Sequence, residues 1–340
     1  MSPDRFHAIT GRYAKLRIGV IGDFCLDRYL EIDPARPETS IETGLPVHNV
    51  VSVRSQPGGA GTILNNLVAL AAGTIYPVGF CGDDGEGYEL LRALRNKTGV
   101  CVDHFLQTPQ RRTFTYCKPL VMHPEKPPQE LSRLDSKNWT PTPAEVSQKI
   151  VEAAKSLISQ VDALILLDQV DIPETGVVTQ AVLDAIGGLA RNRRDLLILA
   201  DSRRGLGTFP PVVFKMNATE LRALTGATTA LSVADARNFA AKLAKQNQRH
   251  VFVTMAEQGI VGAAPDGQME HVPVLPVRGE IDIVGAGDSV TANLTAALAA
   301  GANLREAIEL ANAAASIVIH QLGTTGTASI SQLRATLFAD

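Results

Sequence analysis

Short apolar runs alternate with longer amphipathic runs along most of the chain. The short runs are apolar at consecutive positions, which is typical of strands buried on both faces of a sheet. Such strands are predicted at Leu16–Ile21, Thr74–Val78, Ala163–Leu167, Leu196–Ala200, Val213–Met216, His250–Thr254 and Ile260–Ala264. Ala- and Leu-rich stretches predict helices at Ala60–Ala71, Gly87–Thr98, Pro143–Ser159, Pro173–Arg191, Thr219–Thr225, Val233–Gln246, Ala286–Ala300 and Leu304–Gln321. This alternation predicts an α/β fold with a doubly wound, mainly parallel sheet flanked by helices.

Two segments, 29–57 and 105–135, break this alternation. The first contains several prolines, and the second contains the extended stretches Arg112–Val121 and Leu131–Asp135. We expect the two segments to form a small β lid on a single domain that comprises residues 1–340. A lid with an exposed strand edge also predicts a homodimer, in which each lid covers the edge of the other.

The charge balance excludes some classes of partner. The 340 residues include 32 Lys and Arg and 35 Asp and Glu, which gives a net charge of −3. A protein that binds a nucleic-acid backbone needs a basic face, so we expect no nucleic-acid partner. No stretch is long and apolar enough to span a membrane, and no leader peptide is evident. The four cysteines form no C-x-x-C pair and are expected to be free thiols in the cytoplasm.

The segment Asp282–Asp288, with the sequence Asp-Ile-Val-Gly-Ala-Gly-Asp, precedes an Ala-rich helix. The small residues Gly285, Ala286 and Gly287 allow a ligand to approach the backbone at a helix N-terminus, where free N–H groups favour an anion. Such a turn can stabilise a phosphoryl group during its transfer. Asp288 lies at the same turn and is a candidate general base. The alternative is a glycine-rich turn in which Asp288 caps the helix.

A second glycine-rich helix start lies at Gly58-Gly59, and two carboxylates, Asp23 and Asp27, follow the first predicted strand. The carboxylates could accept hydrogen bonds from the hydroxyls of a polyol, and the glycines suit a hydroxyl or a phosphate. The alternatives are a tight turn for Gly58-Gly59 and a surface or capping role for Asp27.

A third candidate segment, Asn217-Ala218-Thr219-Glu220, follows the strand predicted at Val213–Met216. Its polar side chains fall at the carboxyl edge of the sheet, where open α/β sheets bind ligands. Asn217 and Glu220 could position Mg²⁺ through water, since Mg²⁺ keeps much of its hydration shell. The same spacing also fits a helix capping box.

Other nucleotide and metal motifs are missing from the sequence. There is no G-x-x-x-x-G-K-[ST], no G-x-G-x-x-G after the first strand, and no H-x-E or H-E-x-x-H. A P-loop, a dinucleotide-binding Rossmann site and a zinc site are therefore not indicated.

The three segments, in this order, resemble the ribokinase-like (PfkB) carbohydrate kinases, from about Leu16 to Ile330. Asp282–Asp288 is similar to the family's D-[ST]-x-G-A-G-D signature, and Asn217–Glu220 matches its N-x-x-E motif. Further similarities lie at Gly79–Gly87 and from Val253-Thr254 through Gly259. Within the family, the chain looks most like the kinase half of heptose 7-phosphate kinase/ADP-heptose synthase.

The resemblance implies ATP and Mg²⁺ as cofactors and leaves open a monovalent cation. It implies Asp288 as the general base and the Gly285–Gly287 turn as the anion hole. It implies Asp27 and the Gly58-Gly59 pair at the sugar, and Asp23 and Arg133 are further candidates on the substrate side. Those implied on the nucleotide side are Asn217, Glu220 (a Mg²⁺ ligand through water), Thr254, Gly259, Asp282 and Asn312.

The sequence also departs from the heptose enzymes. Gly61 and Thr62 stand where these enzymes usually carry Ala-Asn, and Asp201-Ser202-Arg203 stands in place of Asp-Pro-Lys. The missing amide at position 62 leaves the identity of the sugar open. No H-x-G-H motif is present, so we expect no nucleotidyl-transfer activity from this chain.

These observations predict an ATP-dependent kinase for a hydroxyl of a sugar or sugar phosphate. Arg112, Lys118 and Arg133 could face a phosphate already on the sugar, or they could be solvated charges of the lid. One alternative keeps the fold and changes the acceptor to a nucleoside or another small alcohol. A second alternative is a catalytically silent protein that binds a sugar or a nucleotide.

Overall fold

The structure is a computed structural model that describes residues 1–124 and 126–338. Position 125 of the expected lid and positions 339–340 of the expected domain lie outside the described residues. The helices are α1 (Pro3–Thr10), α2 (Ala60–Ala69), α3 (Gly85–Arg95), α4 (Ala144–Leu157), α5 (Gln180–Asn192), α6 (Ala218–Thr225), α7 (Val233–Asn247), α8 (Ala286–Ala299), α9 (Leu304–Val318) and α10 (Ile330–Phe338).

The strands divide between a large sheet and the lid, apart from a short hairpin of two-residue strands. They are β1 (Arg17–Gly22), β2 (Phe24–Ile32), β3 (Glu38–Thr39), β4 (Pro46–Val47), β5 (Val50–Gly59), β6 (Thr74–Gly82), β7 (Phe105–Thr108), β8 (Phe114–Val121), β9 (Gln129–Glu130), β10 (Leu134–Ser136), β11 (Ala163–Asp168), β12 (Leu197–Ser202), β13 (Val213–Asn217), β14 (Val251–Thr254), β15 (Ile260–Ala263) and β16 (Met269–Val272).

The large sheet has the strand order β16-β15-β14-β13-β12-β11-β1-β6-β7. Its strands run parallel from β7 to β14, and β15 pairs antiparallel with both β14 and β16. One hydrophobic core lies under α1, α2, α3, α8, α9 and α10, and a second lies under α4 to α7 on the opposite face. This arrangement confirms the predicted doubly wound, mainly parallel α/β fold.

The lid is a separate sheet of order β10-β8-β2-β5, with β9 paired to β8. Its boundaries differ from the expected segments 29–57 and 105–135. The first segment is longer at both ends, because β2 and β5 form an antiparallel pair that begins with Phe24 opposite Gly59. The second begins later, because Phe105–Thr108 pairs with β6 at the edge of the large sheet. A four-residue strand carries no sequence signal that says which of two sheets it joins, so the pattern alone misplaced β7.

The helix predicted at Pro173–Arg191 begins only at Gln180, after Thr179 caps it through a hydrogen bond to the Val182 N–H. The preceding residues form a loop, because backbone N–H groups in 169–177 donate to the buried carboxylate of Asp23 instead of to helix carbonyls. Helices α1 and α10 were not predicted. They pack against each other through Phe6 and Phe338, whose ring centroids lie 5.5 Å apart.

Candidate residues lie at the carboxyl ends of central strands, since Asn217 ends β13 and Thr254 ends β14. An open α/β sheet binds its ligands at this edge, outside the carboxyl ends of the strands.

None of the helices in the described part of the chain is long and apolar enough to cross a membrane.

Candidate active site

The turn before α8 has the geometry of an anion site. Gly285 is the N-cap and has φ +82°, a conformation that favours glycine. The Ala286 N–H donates to the Ile283 carbonyl at 3.2 Å, whereas the Gly285 and Gly287 N–H groups have no acceptor within the residues that the structure describes. These two donors, at the positive end of a helix, are available to a phosphoryl group.

Asp288 lies on the first turn of the same helix and is ionisable near neutral pH. Burial, and after it the negative charge of Asp201, raises the pKa of Asp288 to about 7, although Lys215 and Arg203 oppose the rise. A carboxylate with a pKa near the working pH is suited to accept a proton from a hydroxyl. Among the described residues, Gly285 is the N-cap of α8 and no side chain caps this helix, so the alternative role of Asp288 as a helix cap is not seen.

The two glycine-rich helix starts meet at the cleft. Gly59, which precedes α2, has φ +57°, and helices α2 and α8 pack against each other. A Cβ placed on Gly285 would lie 3.5 Å from the Thr62 side chain of α2 and 3.4 Å from that of Thr325. The predicted sugar site and the predicted phosphate site are therefore neighbours.

Asp27 lies on β2 and leans over Gly58 of β5. It is only 8% exposed, and burial raises its pKa to about 6, whereas the charges of Lys118 and Arg133 oppose the rise. Its carboxylate has no hydrogen-bond donor other than the weak Cys25 thiol, at 4.0 Å, in the described chain. A carboxylate with this much unused acceptor capacity is suited to bind sugar hydroxyls.

Asp23 lies behind this site. Its carboxylate accepts the backbone N–H groups of Gln169 at 2.8 Å, Val170 at 3.3 Å and Val177 at 2.6 Å. Burial raises its pKa to about 6 despite these bonds. Both oxygens are thus occupied by the loop after β11, so the geometry fits a residue that shapes the sugar site better than one that contacts the sugar.

The three lid cations named from the sequence do not lie together. Lys118 and Arg133 are close to Asp27, and Arg133 lies 5.0 Å from the Tyr116 ring while it pairs with Asp135 at 2.8 Å. Arg112 lies before β8, where its backbone exchanges hydrogen bonds with the Asn138 side chain. The structure therefore brings two of the three cations near Asp27.

Asn217 and Glu220 form a reciprocal capping box at the start of α6. The Asn217 Oδ1 accepts the Glu220 N–H at 2.9 Å, and the Glu220 Oε2 accepts the Asn217 N–H at 2.8 Å. The alternative predicted for these residues is thus present. Within the described residues, the second carboxylate oxygen of Glu220 accepts no hydrogen bond, and burial raises the pKa of Glu220.

One carboxylate oxygen beside an anion site fits Mg²⁺, which proteins usually hold through one or two carboxylates together with substrate phosphates. In the described chain, no three His, Cys, Asp or Glu side chains converge on a point where they would hold a metal ion. The residues therefore suit a metal that arrives with a nucleotide rather than one in a cage of protein ligands.

A cavity of about 640 Å³ opens beside the α8 turn. Its lining includes Asn217, Thr254, Gly259 and Asn312, all predicted for the nucleotide side, together with Ala286 and Gly287. Its walls are mainly apolar, which suits a nucleobase. Asp282 does not line this cavity, and its Oδ1 accepts the Val284 N–H at 3.0 Å within the turn.

Sequence reasoning missed one charged cluster beneath the α8 turn. Lys215 on β13 lies 2.7 Å from the Asp201 Oδ2 on β12, and the Thr291 hydroxyl of α8 donates to the same oxygen at 2.8 Å. The signal was available, because Lys215 interrupts an otherwise apolar strand. A lysine at a position whose neighbours are buried must find a partner or a ligand.

Comparison with known proteins decides the family. Residues 21–330 match the pfkB family of carbohydrate kinases. The chain belongs to this family. The matched family is one of carbohydrate kinases.

Curated relatives of this PfkB kinase include two proteins named bifunctional protein HldE. The one from Azorhizobium caulinodans is 32% identical over 321 residues, which cover 94% of this chain and 64% of the relative. The one from Pelobacter propionicus is 28% identical over 342 residues, which cover 100% of this chain and 67% of the relative. The chain thus spans about two thirds of the length of these relatives.

Solved structures support the fold of this PfkB kinase. Arabidopsis thaliana ribokinase, in complex with ribose and ATP, has a TM-score of 0.68 at 18% identity and covers 96% of this chain and 99% of its own. Phosphofructokinase-2 from Escherichia coli, in complex with substrates and products, has a TM-score of 0.71 at 18% identity and covers 94% and 98%. The ribokinase-like fold is therefore confirmed.

Proposed function

We propose that this PfkB kinase transfers the γ-phosphoryl group of ATP to a hydroxyl of a phosphorylated sugar. The single observation that carries the proposal is the meeting of two sites in one cleft. Asp288, as the base, and the Gly285–Gly287 anion turn lie beside the cavity that we assign to the nucleotide. The carboxylate of Asp27 lies on the side that we assign to the sugar, with Lys118 and Arg133 near it.

The chemistry follows from this placement. Asp27 and the backbone at Gly58-Gly59 hold the acceptor, and Asp288 takes the proton from its hydroxyl. The acceptor oxygen forms a bond to the γ-phosphorus as the bond to the β,γ-bridging oxygen breaks, and ADP leaves. The Gly285 and Gly287 N–H groups stabilise the charge on the transferring group, and the lid excludes water.

Glu220 would hold Mg²⁺ through water, with Asn217 beside it at the start of α6. When bound, the metal neutralises charge on the ATP phosphates. Thr254, Gly259 and Asn312 bind the nucleoside end of ATP, because they line the cavity that continues from the anion turn. Asp282 acts inside the turn, where its carboxylate fixes the backbone that precedes Gly285.

A phosphate on the acceptor is favoured by the charges of the lid. Lys118 and Arg133 lie on the face that Asp27 shares, since Tyr116 pairs with both Asp27 and Asp135 across the lid sheet. These cations would add little to the affinity for a neutral sugar, whereas they would bind the phosphate of a sugar phosphate through charge-assisted hydrogen bonds. The resemblance of the sequence to the heptose 7-phosphate kinases makes a heptose phosphate the first acceptor to test.

The test is a panel of acceptors with ADP release as the readout. It contains heptose 7-phosphate, fructose 6-phosphate, ribose, fructose and a nucleoside, each at the same concentration with Mg²⁺ and ATP. We expect turnover to be fastest with a phosphorylated sugar. Preference for an unphosphorylated sugar or for the nucleoside would contradict the proposed acceptor, and ATP binding without any turnover would favour a silent binding protein.

A further inference from the structure

Lys215 has an unusual environment for a lysine. Its side chain is only 7% exposed, and it projects from β13, whose other core residues are apolar. Asp201 Oδ2 accepts one hydrogen bond from the Nζ at 2.7 Å. An ammonium group has three donors, and the other two have no acceptor within the described residues. A buried charge with unused donors is costly unless a ligand completes its shell.

The unused donors lie beneath the anion turn. A Cβ built on Gly287 would lie 3.2 Å from the Lys215 Nζ, so the absence of a side chain at position 287 lets the ammonium group approach the turn. The same turn carries the Gly285 and Gly287 N–H groups. The Lys215 ammonium group and the N–H groups at the start of α8 therefore offer hydrogen-bond donors to the same anion site.

The position of the ammonium group is fixed by two neighbours. Asp201 Oδ2 accepts both the Lys215 Nζ and the Thr291 hydroxyl, at 2.7 and 2.8 Å. This shared oxygen ties β12, β13 and α8 together. A donor held in this way needs no reorganisation when charge develops in front of it, which is the condition under which electrostatic stabilisation is strongest.

We infer that Lys215 is a further catalytic residue, which donates to the transferring phosphoryl group from beneath the Gly285–Gly287 turn, and that Asp201 and Thr291 are its positioning residues. The inference rests on the proposed kinase function. Backbone N–H groups contribute partial charges, and Lys215 adds a full positive charge where the three equatorial oxygens of the phosphoryl group carry negative charge.

The first test is a binding measurement that does not depend on the acceptor. For Lys215→Met and the wild type, calorimetry compares a non-hydrolysable ATP analogue with ADP, both with Mg²⁺. A charge-assisted hydrogen bond to the γ-phosphoryl group predicts that the variant loses about tenfold or more in affinity for the analogue relative to ADP. An unchanged ratio of the two affinities would overturn the inference.

A matched control is Lys97→Met. Lys97 is half-buried, with its pKa lowered by burial, but it lies between α3 and Val100, which pairs with Ile75 at the amino end of β6. We expect its ratio of analogue to ADP affinity to equal that of the wild type. A change as large as that of Lys215→Met would mean that loss of any half-buried lysine alters nucleotide binding, and the inference would fail.

The second test separates catalysis from folding. Lys215→Met leaves Asp201 buried without its cation, so the variant is expected to melt at a lower temperature. Lys215→Met/Asp201→Asn removes both charges. We expect the double variant to regain most of the melting temperature while kcat stays about 10²- to 10³-fold below that of the wild type. Recovery of both quantities would show that the pair is structural only.

The two proposals fail in different ways. If the wild type turns over no sugar, the proposed function fails, but the ratio of analogue to ADP affinity still reports whether Lys215 meets the γ-phosphoryl group. If the wild type is active and Lys215→Met keeps both its kcat and its affinity ratio, the kinase stands and the role of Lys215 is excluded. Thr291→Val should lower kcat by a smaller factor, because it removes only one of the two contacts that hold Asp201.

Discussion

The carboxylate of Asp27 occupies the space in which a side chain on Gly58 would stand. A Cβ at position 58 would lie 2.5 Å from the Asp27 Oδ2 and 2.6 Å from the Oδ1. The two residues belong to neighbouring lid strands that pair in antiparallel register. The glycine therefore allows the carboxylate to lean over β5 toward the helix start at Gly59, which is the arrangement on which the proposed acceptor binding depends.

The first prediction concerns Gly58→Ala. The added methyl group displaces the Asp27 carboxylate, because the end of a side chain moves more easily than two paired strands. Because a small displacement of a binding group weakens its contacts with the ligand, we expect the acceptor KM to rise at least about tenfold. The affinity for ADP should be unchanged. Steady-state kinetics and calorimetry measure the two quantities.

Gly85→Ala is the matched control for this substitution. A Cβ at Gly85 would meet nothing within 4 Å, and α3 begins there. We expect its acceptor KM to equal that of the wild type. An unchanged KM in Gly58→Ala would contradict the role of Asp27 in acceptor binding.

The second prediction is the dependence of turnover on pH. Asp288 must be ionised to accept a proton, and burial raises its pKa to about 7. We therefore expect kcat/KM to rise with pH through an apparent pKa near 7 and to level off above it. A profile that stays flat between pH 5.5 and 8 would contradict the assignment of Asp288 as the base.

The third prediction concerns stability without ligands. Because the pKa of Asp288 is raised from 3.8 to about 7, the folded protein binds a proton more tightly than the unfolded chain does. The contribution of this group is present below pH 3.8 and is lost as the pH rises to about 7. Asp288→Asn should therefore raise the free energy of unfolding at pH 8 by about 2 kcal/mol or more, and less at pH 5.

Urea unfolding at the two pH values measures this difference, with Asp195→Asn as the control. The pKa of Asp195 is lowered by its hydrogen bond to Arg193, so neutralising it has no reason to stabilise the protein at pH 8. Equal effects of Asp288→Asn at pH 5 and pH 8 would show that Asp288 does not carry a raised pKa in the folded protein.

The fourth prediction is the homodimer. The lid exposes the large apolar side chains of Val51, Val53 and Leu134, and the hairpin of β3 and β4 exposes those of Ile41 and Leu45. Val53 and Leu134 share the face of the lid sheet that carries Arg28 and points away from Asp27. Light scattering is expected to give twice the chain mass of 36.2 kDa, and Val53→Lys is expected to weaken the dimer. A monomeric wild type would contradict the prediction.

The sequence predicted the layers of the fold because buried strands such as β11 are apolar at every position before the last, Asp168. It also identified the two glycine-rich helix starts, because glycine is the residue that a tight turn requires. In the structure, Gly59 and Gly285 do have positive φ. The sequence could not show that these starts meet, because their contact depends on the packing of α2 against α8.

The pattern of apolar and polar residues could not distinguish the roles of Asp23 and Asp27, and it could not show the partner of Lys215. Asp23 and Asp27 look alike in the sequence, yet one binds backbone N–H groups of the loop after β11 and the other faces the cleft. The partner that makes Lys215 tolerable, Asp201, lies on the neighbouring strand β12. Contacts of this kind arise between elements and leave no local signal.

The most direct test of the central claim is phosphotransfer by Asp288→Asn. With the best sugar phosphate from the panel, we expect kcat to fall by about 10²- to 10⁴-fold, while calorimetry shows ADP binding within about threefold of the wild type. This result would identify Asp288 as the base of a sugar-phosphate kinase. Turnover close to that of the wild type in Asp288→Asn would contradict it.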